Sequence, residues 1–241
     1  MLVCNQPDNV RRFLSVDKCI VTISREYGSG GRYIGGLVAK ELDIPFYDKE
    51  IIHMAAEKSG MSPGFIEKSD ESIPNTFLHN LKYSTYSSYD SVTYYDTPIT
   101  DKVFLAQSSV IKELAAQGSC VIVGRCAHYI LRNDPDLISI FIRGALEDRV
   151  RHAIEFYGLQ EQNAVERIKK IDKSRVNYYK YYTSRQWGNI DFYDLVVNTS
   201  VTGIDGAVTV IKTMLQMRSE DRKESKETER NDHFYGQTKT R

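Results

Sequence analysis

The amino-acid sequence predicts an α/β fold, a three-layer arrangement in which a parallel sheet carries helices on both faces. Short runs rich in β-branched residues, which are typical of buried parallel strands, recur along the chain. Segments whose apolar residues have helical spacing lie between these runs. Strands that alternate with helices form parallel sheets, and such sheets bind ligands beyond the carboxyl ends of their strands. Functional residues are therefore expected in the loops that follow the strands.

The elements can be placed one after another along the chain. The first strand is predicted at 19–24, followed by a helix at 33–42 and a short extended piece at 45–47. Asp48 stands at the N-cap position of a helix over 49–56. The remaining strands are predicted at 120–124, 137–142 and 195–198, and the remaining helices at 101–117, 145–157, 161–182 and 203–217. The strands end at Ser24, Gly124, Arg143 and Asn198, which we expect at one edge of the sheet.

Three segments stand outside this alternation. Residues 1–18 form a polar N-terminal extension to the domain at 19–217. Residues 60–100, which are rich in tyrosine and interrupted by prolines, form a long insert that we expect to be functional or mobile. Residues 218–241 are charged and lack aliphatic side chains from Ser219 onward, which predicts a disordered tail.

Composition narrows the classes of function. The chain has 32 Lys and Arg residues against 32 Asp and Glu residues, and this balance disfavours a general nucleic-acid binder. Its cysteines show no CxxC spacing and are expected to be reduced thiols, and its histidines show no metal-ligand spacing. The N-terminus has no apolar signal-peptide region, and no apolar run reaches the ~20 residues that span a membrane. We therefore expect a cytoplasmic protein with no membrane contact.

A glycine-rich loop joins the first strand to the first helix. Backbone N–H groups at a helix N-terminus converge on phosphate oxygens, so this loop is a candidate to bind the phosphates of a nucleoside triphosphate. The candidate residues are Gly28, Ser29, Gly30, Gly31, Arg32 and Tyr33. The standard P-loop is GxxxxGK[ST], and here Arg25, Gly31 and Arg32 replace its first Gly, its Lys and its Ser or Thr. Arg25 or Arg32 is therefore a candidate to supply the missing cation. The alternative is a plain strand–helix turn that needs glycine for packing.

Five blocks of the sequence, in order, resemble the cytidylate-kinase-like family of bacterial P-loop proteins. They lie at 22–35, 46–52, 123–127, 172–182 and 194–199. The resemblance extends over most of 19–217, and a loop without the lysine is usual in this family. It implies a P-loop nucleotide-kinase-like fold, in which 60–100 is an acceptor-side insert and 161–188 is a helical lid.

The resemblance also implies roles for single residues. Asp48 and Arg125 fall where related kinases bind the phosphate of the acceptor, although an N-cap role explains Asp48 equally well. Asp172 and Arg175 fall in the lid, three residues apart on one helix face, where an acid can position the arginine or hold water on Mg²⁺. Arg149 falls near an arginine that related enzymes use against the donor nucleotide. A solvated helix face is the alternative for the basic segment 167–185.

The resemblance implies a kinase that uses ATP and Mg²⁺ on a nucleoside monophosphate such as CMP. The catalytic candidates are Arg25, Arg32, Asp172 and Arg175. Two alternatives stay open: a kinase of a non-nucleotide small molecule, and a nucleotide-binding regulatory module with little turnover. A third, nucleic-acid binding through 167–185, is opposed by the formal net charge of +0. The sequence does not identify the metal ligands, and it is compatible with a homo-oligomer.

Overall fold

A computed structural model describes residues 18–62, 64 and 99–237, with the side chains of the last helix described up to residue 225. Five parallel strands form one sheet in the order β2-β3-β1-β4-β5. The strands are β1 Ile20–Arg25, β2 Phe46–Tyr47, β3 Cys120–Val123, β4 Leu137–Arg143 and β5 Leu195–Asn198. Their carboxyl ends meet at one edge, as the sequence predicts, and that edge carries the candidate site.

The helices follow the strands in the predicted alternation. They are α1 Gly31–Leu42, α2 Glu50–Ser59, α3 Ile99–Gln117, α4 Ala127–Ile130, α5 Leu146–Tyr157, α6 Ala164–Thr183 and α7 Thr199–Gln237, with short 3₁₀ turns at Glu161–Asn163 and Ile190–Phe192. α7 is interrupted at Gly203, whose φ of 66° and ψ of −177° are not helical. No helix in the described part of the chain is long and apolar enough to cross a membrane.

Hydrophobic cores lie on both faces of the sheet. One face packs Ile20 and Ile122 against α2, α3 and α4. The other packs Val21, Ile23 and Ile140 against α1 and α7. Successive strand residues point to opposite faces, so β1 contributes to both cores, and the three-layer α/β fold predicted from the sequence is confirmed.

Asp48 is not the N-cap that its position ahead of a helix predicts. The residue that precedes α2 is Lys49, which makes no side-chain capping bond. Asp48 is buried instead and pairs with arginines. Two strong charge-assisted bonds outweigh one capping bond, which explains why the local signal was misleading.

The last helix extends well past residue 217, so the tail predicted to be disordered from 218 is helical as far as Gln237. Arg218 Nη1 donates to the carbonyl of Leu137 (2.7 Å), and Arg222 Nη1 pairs with Asp136 Oδ1 (2.9 Å). These bonds hold the helix against the turn before β4, a partner that the composition of the tail does not reveal.

Parts of the predicted organisation lie outside the described residues. They are most of the N-terminal extension, with Cys4, most of the insert at 60–100, and residues 238–241. Among the described cysteines, Cys120 and Cys126 are buried and Cys19 is partly buried, and no two of them form a disulfide bond.

Candidate active site

The glycine-rich loop forms a tight turn between β1 and α1. Gly28 and Gly30 have φ values of 82° and 80°, a left-handed conformation that glycine adopts at little cost. A Cβ atom on Gly28 would lie 2.3 Å from the carbonyl oxygen of Arg149 in α5. Packing against α5 therefore explains the glycine at 28, and the same turn leaves Gly30 and Gly31 at the start of α1.

The side chain of Ser29, a predicted phosphate-binding residue, faces into the loop. Its side chain is 0% exposed, and its hydroxyl donates to the carbonyl of Glu26 (2.8 Å) and to that of Ile142 (3.2 Å). Its own N–H points to the carbonyl of Glu26 (3.3 Å). Ser29 thus shapes the turn, and Thr199, which donates to the Ser29 carbonyl (3.0 Å), ties the turn to α7.

A buried carboxylate joins the glycine-rich loop to the turn after β3. Asp48 Oδ2 lies 2.6 Å from Arg32 Nε, and Asp48 Oδ1 lies 2.5 Å from Arg125 Nη1. Asp48 and Arg125 are each 3% exposed, whereas half of the Arg32 side chain is exposed. We call Arg32, Asp48 and Arg125 the arginine bridge. It brings together two predicted acceptor residues and one predicted donor residue.

The turn that carries Arg125 is strained. Gly124, Arg125 and Cys126 have φ values of 80°, 50° and 56°, and the left-handed region costs a non-glycine residue about 1–2 kcal/mol. Bonds from Gly124 N–H to the Ile23 carbonyl (3.0 Å) and from Ala127 N–H to the Gly124 carbonyl (3.0 Å) hold the turn. Such strain is concentrated at functional sites, and here it directs the Arg125 side chain to Asp48.

A second carboxylate ties α6, the predicted lid helix, to the loop. Asp172 of α6 accepts a bond from the Tyr27 N–H (2.8 Å) through Oδ1 and from Arg149 Nη1 (2.6 Å) through Oδ2. Arg175 Nη1 lies 3.7 Å from Asp172 Oδ1 and donates to the carbonyl of Arg25 (3.0 Å). We call Asp172, Arg149 and Arg175 the lid latch.

The loop and the arginine bridge enclose a cavity of about 280 Å³, which we call the phosphate hollow. Five cationic side chains and two carboxylates line it, so its charge favours anions. The cationic residues are Arg25, Arg32, Lys49, Arg125 and Arg175, and the acidic ones are Glu26 and Asp48. Among its described lining residues, only Arg175 comes from the lid latch.

An aromatic hollow of about 840 Å³ opens beside the phosphate hollow, and the two share Gly30, Arg32 and Tyr157. We call it the base hollow. Tyr33 and Phe156 are both more than half exposed here. Tyr157, Phe46 and His152 also line it, and His152 Nδ1 lies 3.2 Å from the Gly28 carbonyl. Flat aromatic surfaces next to an anion site suit a nucleobase.

The structure brings most of the predicted residues together and separates a few. Most of the predicted residues line the phosphate hollow, namely Arg25, Gly28, Gly30, Gly31, Arg32, Asp48, Arg125 and Arg175. Tyr33 lines the base hollow, and Asp172 and Arg149 lie outside the described linings of both.

Sequence reasoning missed three residues around this site. Glu26 accepts a bond from the Gly144 N–H (2.9 Å), and it fixes the loop against the end of β4. Tyr27 packs on Tyr157 with ring centroids 5.4 Å apart, and burial raises its pKa, with Tyr157 adding to the shift. Lys49 adds a cation to the hollow. The sequence did offer a signal for Glu26 and Tyr27, since an acidic and an aromatic residue stand inside the glycine-rich loop.

The described residues offer no group of three or more His, Cys, Asp or Glu side chains that could hold a metal ion. Mg²⁺ in nucleotide enzymes is bound through one or two carboxylates, water and the substrate phosphates, rather than by a protein cage. Asp48 and Glu26 line the phosphate hollow and meet that lesser requirement. The residues present therefore fit an Mg²⁺–ATP complex.

Comparison with known proteins identifies the family of the chain. A sequence model of the cytidylate kinase-like family matches residues 20–201. Cytidylate kinase from Methanopyrus kandleri is 26% identical over 112 residues, which cover 43% of this chain and 58% of that enzyme. Cytidylate kinase from Methanocaldococcus jannaschii is 26% identical over 106 residues, covering 43% of this chain and 59% of that enzyme. The chain thus matches somewhat more than half the length of these curated relatives.

Solved structures share the fold. An uncharacterized protein from Eubacterium ventriosum superposes with a TM-score of 0.60 and 26% identity, covering 82% of this chain and 98% of that chain. A gluconokinase from Sinorhizobium meliloti superposes with a TM-score of 0.50 and 11% identity, covering 86% of this chain and 97% of that chain. The second likeness concerns the fold alone.

Proposed function

Since the chain belongs to the cytidylate kinase-like family, we propose that it transfers a phosphoryl group from ATP to a nucleoside monophosphate such as CMP. The observation that carries this proposal is the phosphate hollow, where the arginine bridge joins the glycine-rich loop to the strained turn at Arg125. Transfer between two phosphates needs both of them bound side by side among fixed cations.

The donor side is assigned to the loop and the base hollow. The start of α1 at Gly30 and Gly31 presents N–H groups to the donor phosphates, and the aromatic rings of the base hollow accept the nucleobase. Arg32 takes over the work of the missing lysine, because its guanidinium lies at the hollow and pairs with the same carboxylate as Arg125. Arg25 adds a second cation from the end of β1.

The acceptor side is assigned to Arg125 and Asp48. A guanidinium can hold a phosphate through two parallel hydrogen bonds, which suits the dianionic phosphate of a nucleoside monophosphate. Asp48 keeps the buried guanidinium oriented and supplies the counter-charge while no acceptor is bound. The excess of cations over carboxylates in the hollow favours an anionic acceptor over a neutral alcohol.

Catalysis then depends on position and charge. Arg175 reaches the hollow from the lid helix, and its bond to the Arg25 carbonyl fixes it beside the loop. It stabilises the negative charge that spreads over the transferring group, together with Arg32. Asp48 and Glu26 would help to hold Mg²⁺ with the ATP phosphates, and the metal would supply further charge neutralisation. No covalent intermediate on the protein is required.

The test is ADP release from Mg·ATP by the purified chain over a panel of nucleoside monophosphates, sugars and hydroxy acids. We expect turnover with nucleoside monophosphates and the highest kcat/KM with CMP. Turnover confined to a sugar or hydroxy acid would overturn the acceptor, and tight ATP binding without turnover on the whole panel would identify a regulatory module. Gly30→Val, folded by circular dichroism, should lose ATP binding, since a branched residue is strained at a φ of 80° and its Cβ would lie 2.4 Å from Ile204 Cδ1 in the wall of the base hollow.

A further inference from the structure

A buried histidine connects the lid helix to the central strand. His128 Nε2 lies 3.0 Å from the Tyr179 hydroxyl of α6, and His128 Nδ1 lies 3.3 Å from Ser24 Oγ of β1. All three side chains are buried, and the imidazole also stacks on the Tyr179 ring, with centroids 5.2 Å apart. None of these residues has a part in the proposed reaction, so their polar contacts need another explanation.

On both α6 and β1, the contacts of His128 lie next to residues of the active site. Tyr179 and Arg175 are four residues apart and therefore share one face of α6. Ser24 and Arg25 are adjacent on β1. Arg175 donates to the Arg25 carbonyl (3.0 Å), while His128 bridges the wider gap between Tyr179 and Ser24. The helix is thus tied to the strand at two successive turns.

The two halves of α6 differ in their surroundings. Tyr178, Tyr179 and Thr183 are buried in the second half, where Tyr178 and Tyr179 form an aromatic cluster with Phe104, Tyr182 and Trp187. The first half carries exposed charges, with only Ala164 and Ile168 fully covered. Arg175 lies where the exposed half meets the buried half, so its position depends on how the second half is held.

His128 lines a small cavity together with Arg125 and Arg175 of the proposed active site. The cavity has a volume of about 20 Å³, enough for one water molecule, and is lined by Ser24, Arg125, His128, Arg175 and Tyr179 among others. Burial lowers the pKa of His128 to about 4, with Arg185 contributing. The imidazole is therefore neutral near pH 7, and one ring nitrogen donates while the other accepts.

We propose that His128 is a positioning residue for phosphoryl transfer, which holds α6 through the Tyr179 hydroxyl so that Arg175 stays at the phosphate hollow. The proposal rests on the proposed function for its catalytic readout. Whether the bond from His128 to Tyr179 fixes the second half of α6 can be measured without turnover.

Conservative variants separate the two bonds of the histidine. The amide of His128→Gln reaches the position of Nε2 and can bond to Tyr179, whereas the amide of His128→Asn reaches only the position of Nδ1, near Ser24. Tyr179→Phe removes the hydroxyl and keeps the ring. Tyr182→Phe is the matched control, since Tyr182 also lies on α6 and its hydroxyl bonds to Asp101 of α3 (3.1 Å) and not to the histidine.

Steady-state kinetics with the best acceptor provide the first readout. We expect Tyr179→Phe and His128→Asn to lower kcat about tenfold, with the KM for ATP changed less than about twofold. His128→Gln and Tyr182→Phe should keep kcat within about twofold of the wild type. Equal losses in the Asn and Gln variants, or in the two Tyr→Phe variants, would indicate a packing role only and would overturn the proposal.

Hydrogen exchange of the amides at 172–183 provides the second readout. We expect exchange to accelerate about tenfold in Tyr179→Phe and to stay at the wild-type rate in Tyr182→Phe. If the wild type shows no turnover on any acceptor, the proposed function fails, and this exchange pattern still decides whether His128 fixes the helix. Unchanged exchange in Tyr179→Phe would overturn the inference even in an active kinase.

Discussion

The arginine bridge and the lid latch are built alike, since each consists of one aspartate between two arginines. They differ in what lies beside them. Asp48 of the bridge lines the phosphate hollow and is almost fully buried. Asp172 of the latch lies outside the described lining of that hollow and accepts a bond from the backbone of the loop. The same arrangement thus lies at the proposed ligand site in one place and joins α6 to the loop backbone in the other.

Replacing the bridge carboxylate should have the largest effect. In Asp48→Asn the charge that compensates two arginines is lost, and breaking a buried ion pair by removing one partner costs about 3–5 kcal/mol. We expect kcat/KM to fall at least about 100-fold for both substrates, with a lower melting temperature. Wild-type kinetics in a folded Asp48→Asn variant would contradict the role given to the bridge.

The loop glycine that packs on the latch should come next. Gly28→Ala places a Cβ atom 2.3 Å from the Arg149 carbonyl, and the left-handed φ alone costs about 1–2 kcal/mol. We expect a loss of about 3 kcal/mol or less in unfolding free energy by urea titration, and weaker ATP binding. Gly36→Ala is the control, because nothing lies within 4 Å of its Cβ position and alanine favours the helix. Equal stabilities of the two variants would refute the packing explanation.

Low pH should lower the stability of the fold through His128, which belongs neither to the arginine bridge nor to the lid latch. Its folded-state pKa of about 4 lies below the 6.5 of an exposed histidine, so the unfolded chain binds the proton first as the pH falls. The stability from this group is complete above pH 6.5 and is lost progressively toward pH 4, by at most about 3 kcal/mol. Urea unfolding over this range should show a shallower pH dependence in His128→Gln than in the wild type. Parallel curves would mean that the histidine does not titrate in this way.

The latch carboxylate should give the smallest effect. Asp172→Asn keeps an acceptor for the Tyr27 N–H and loses the charge facing Arg149 and Arg175. We expect kcat to fall about tenfold with little change in either KM, because Arg175 is less well fixed while both substrate sites persist. A selective rise in the KM for ATP would place Asp172 in direct contact with the donor instead.

The contrast between the clusters also shows which parts of the site can be predicted from sequence. Strands β1, β3, β4 and β5 are local apolar runs, so their ends, and the meeting of Gly30 with Arg125 at one edge, follow from the pattern. The pairing of Asp172 with Arg175 follows from helical spacing. The bond from Asp172 to Tyr27 does not, since it depends on how α6 packs against the loop.

Where local and tertiary signals compete, the sequence was misleading. Asp48 precedes a helix and reads as a cap, yet two arginines from distant segments attract its carboxylate. The charged residues after 217 suggest disorder, yet Arg218 and Arg222 bond to carbonyls and a carboxylate at 135–137, where the chain enters β4. In both cases the deciding partner is remote in sequence and invisible to any local pattern.

The assignment of Arg125 to the acceptor phosphate can be tested most directly with Arg125→Lys, a variant that keeps the charge and loses the fork of two parallel donors. The KM for the nucleoside monophosphate and the KM for ATP are measured side by side in this variant and in the wild type. We expect the acceptor KM to rise about tenfold or more while the KM for ATP stays within about twofold. An unchanged acceptor KM, or a rise confined to the KM for ATP, would contradict the assignment of the arginine bridge as the junction between donor and acceptor.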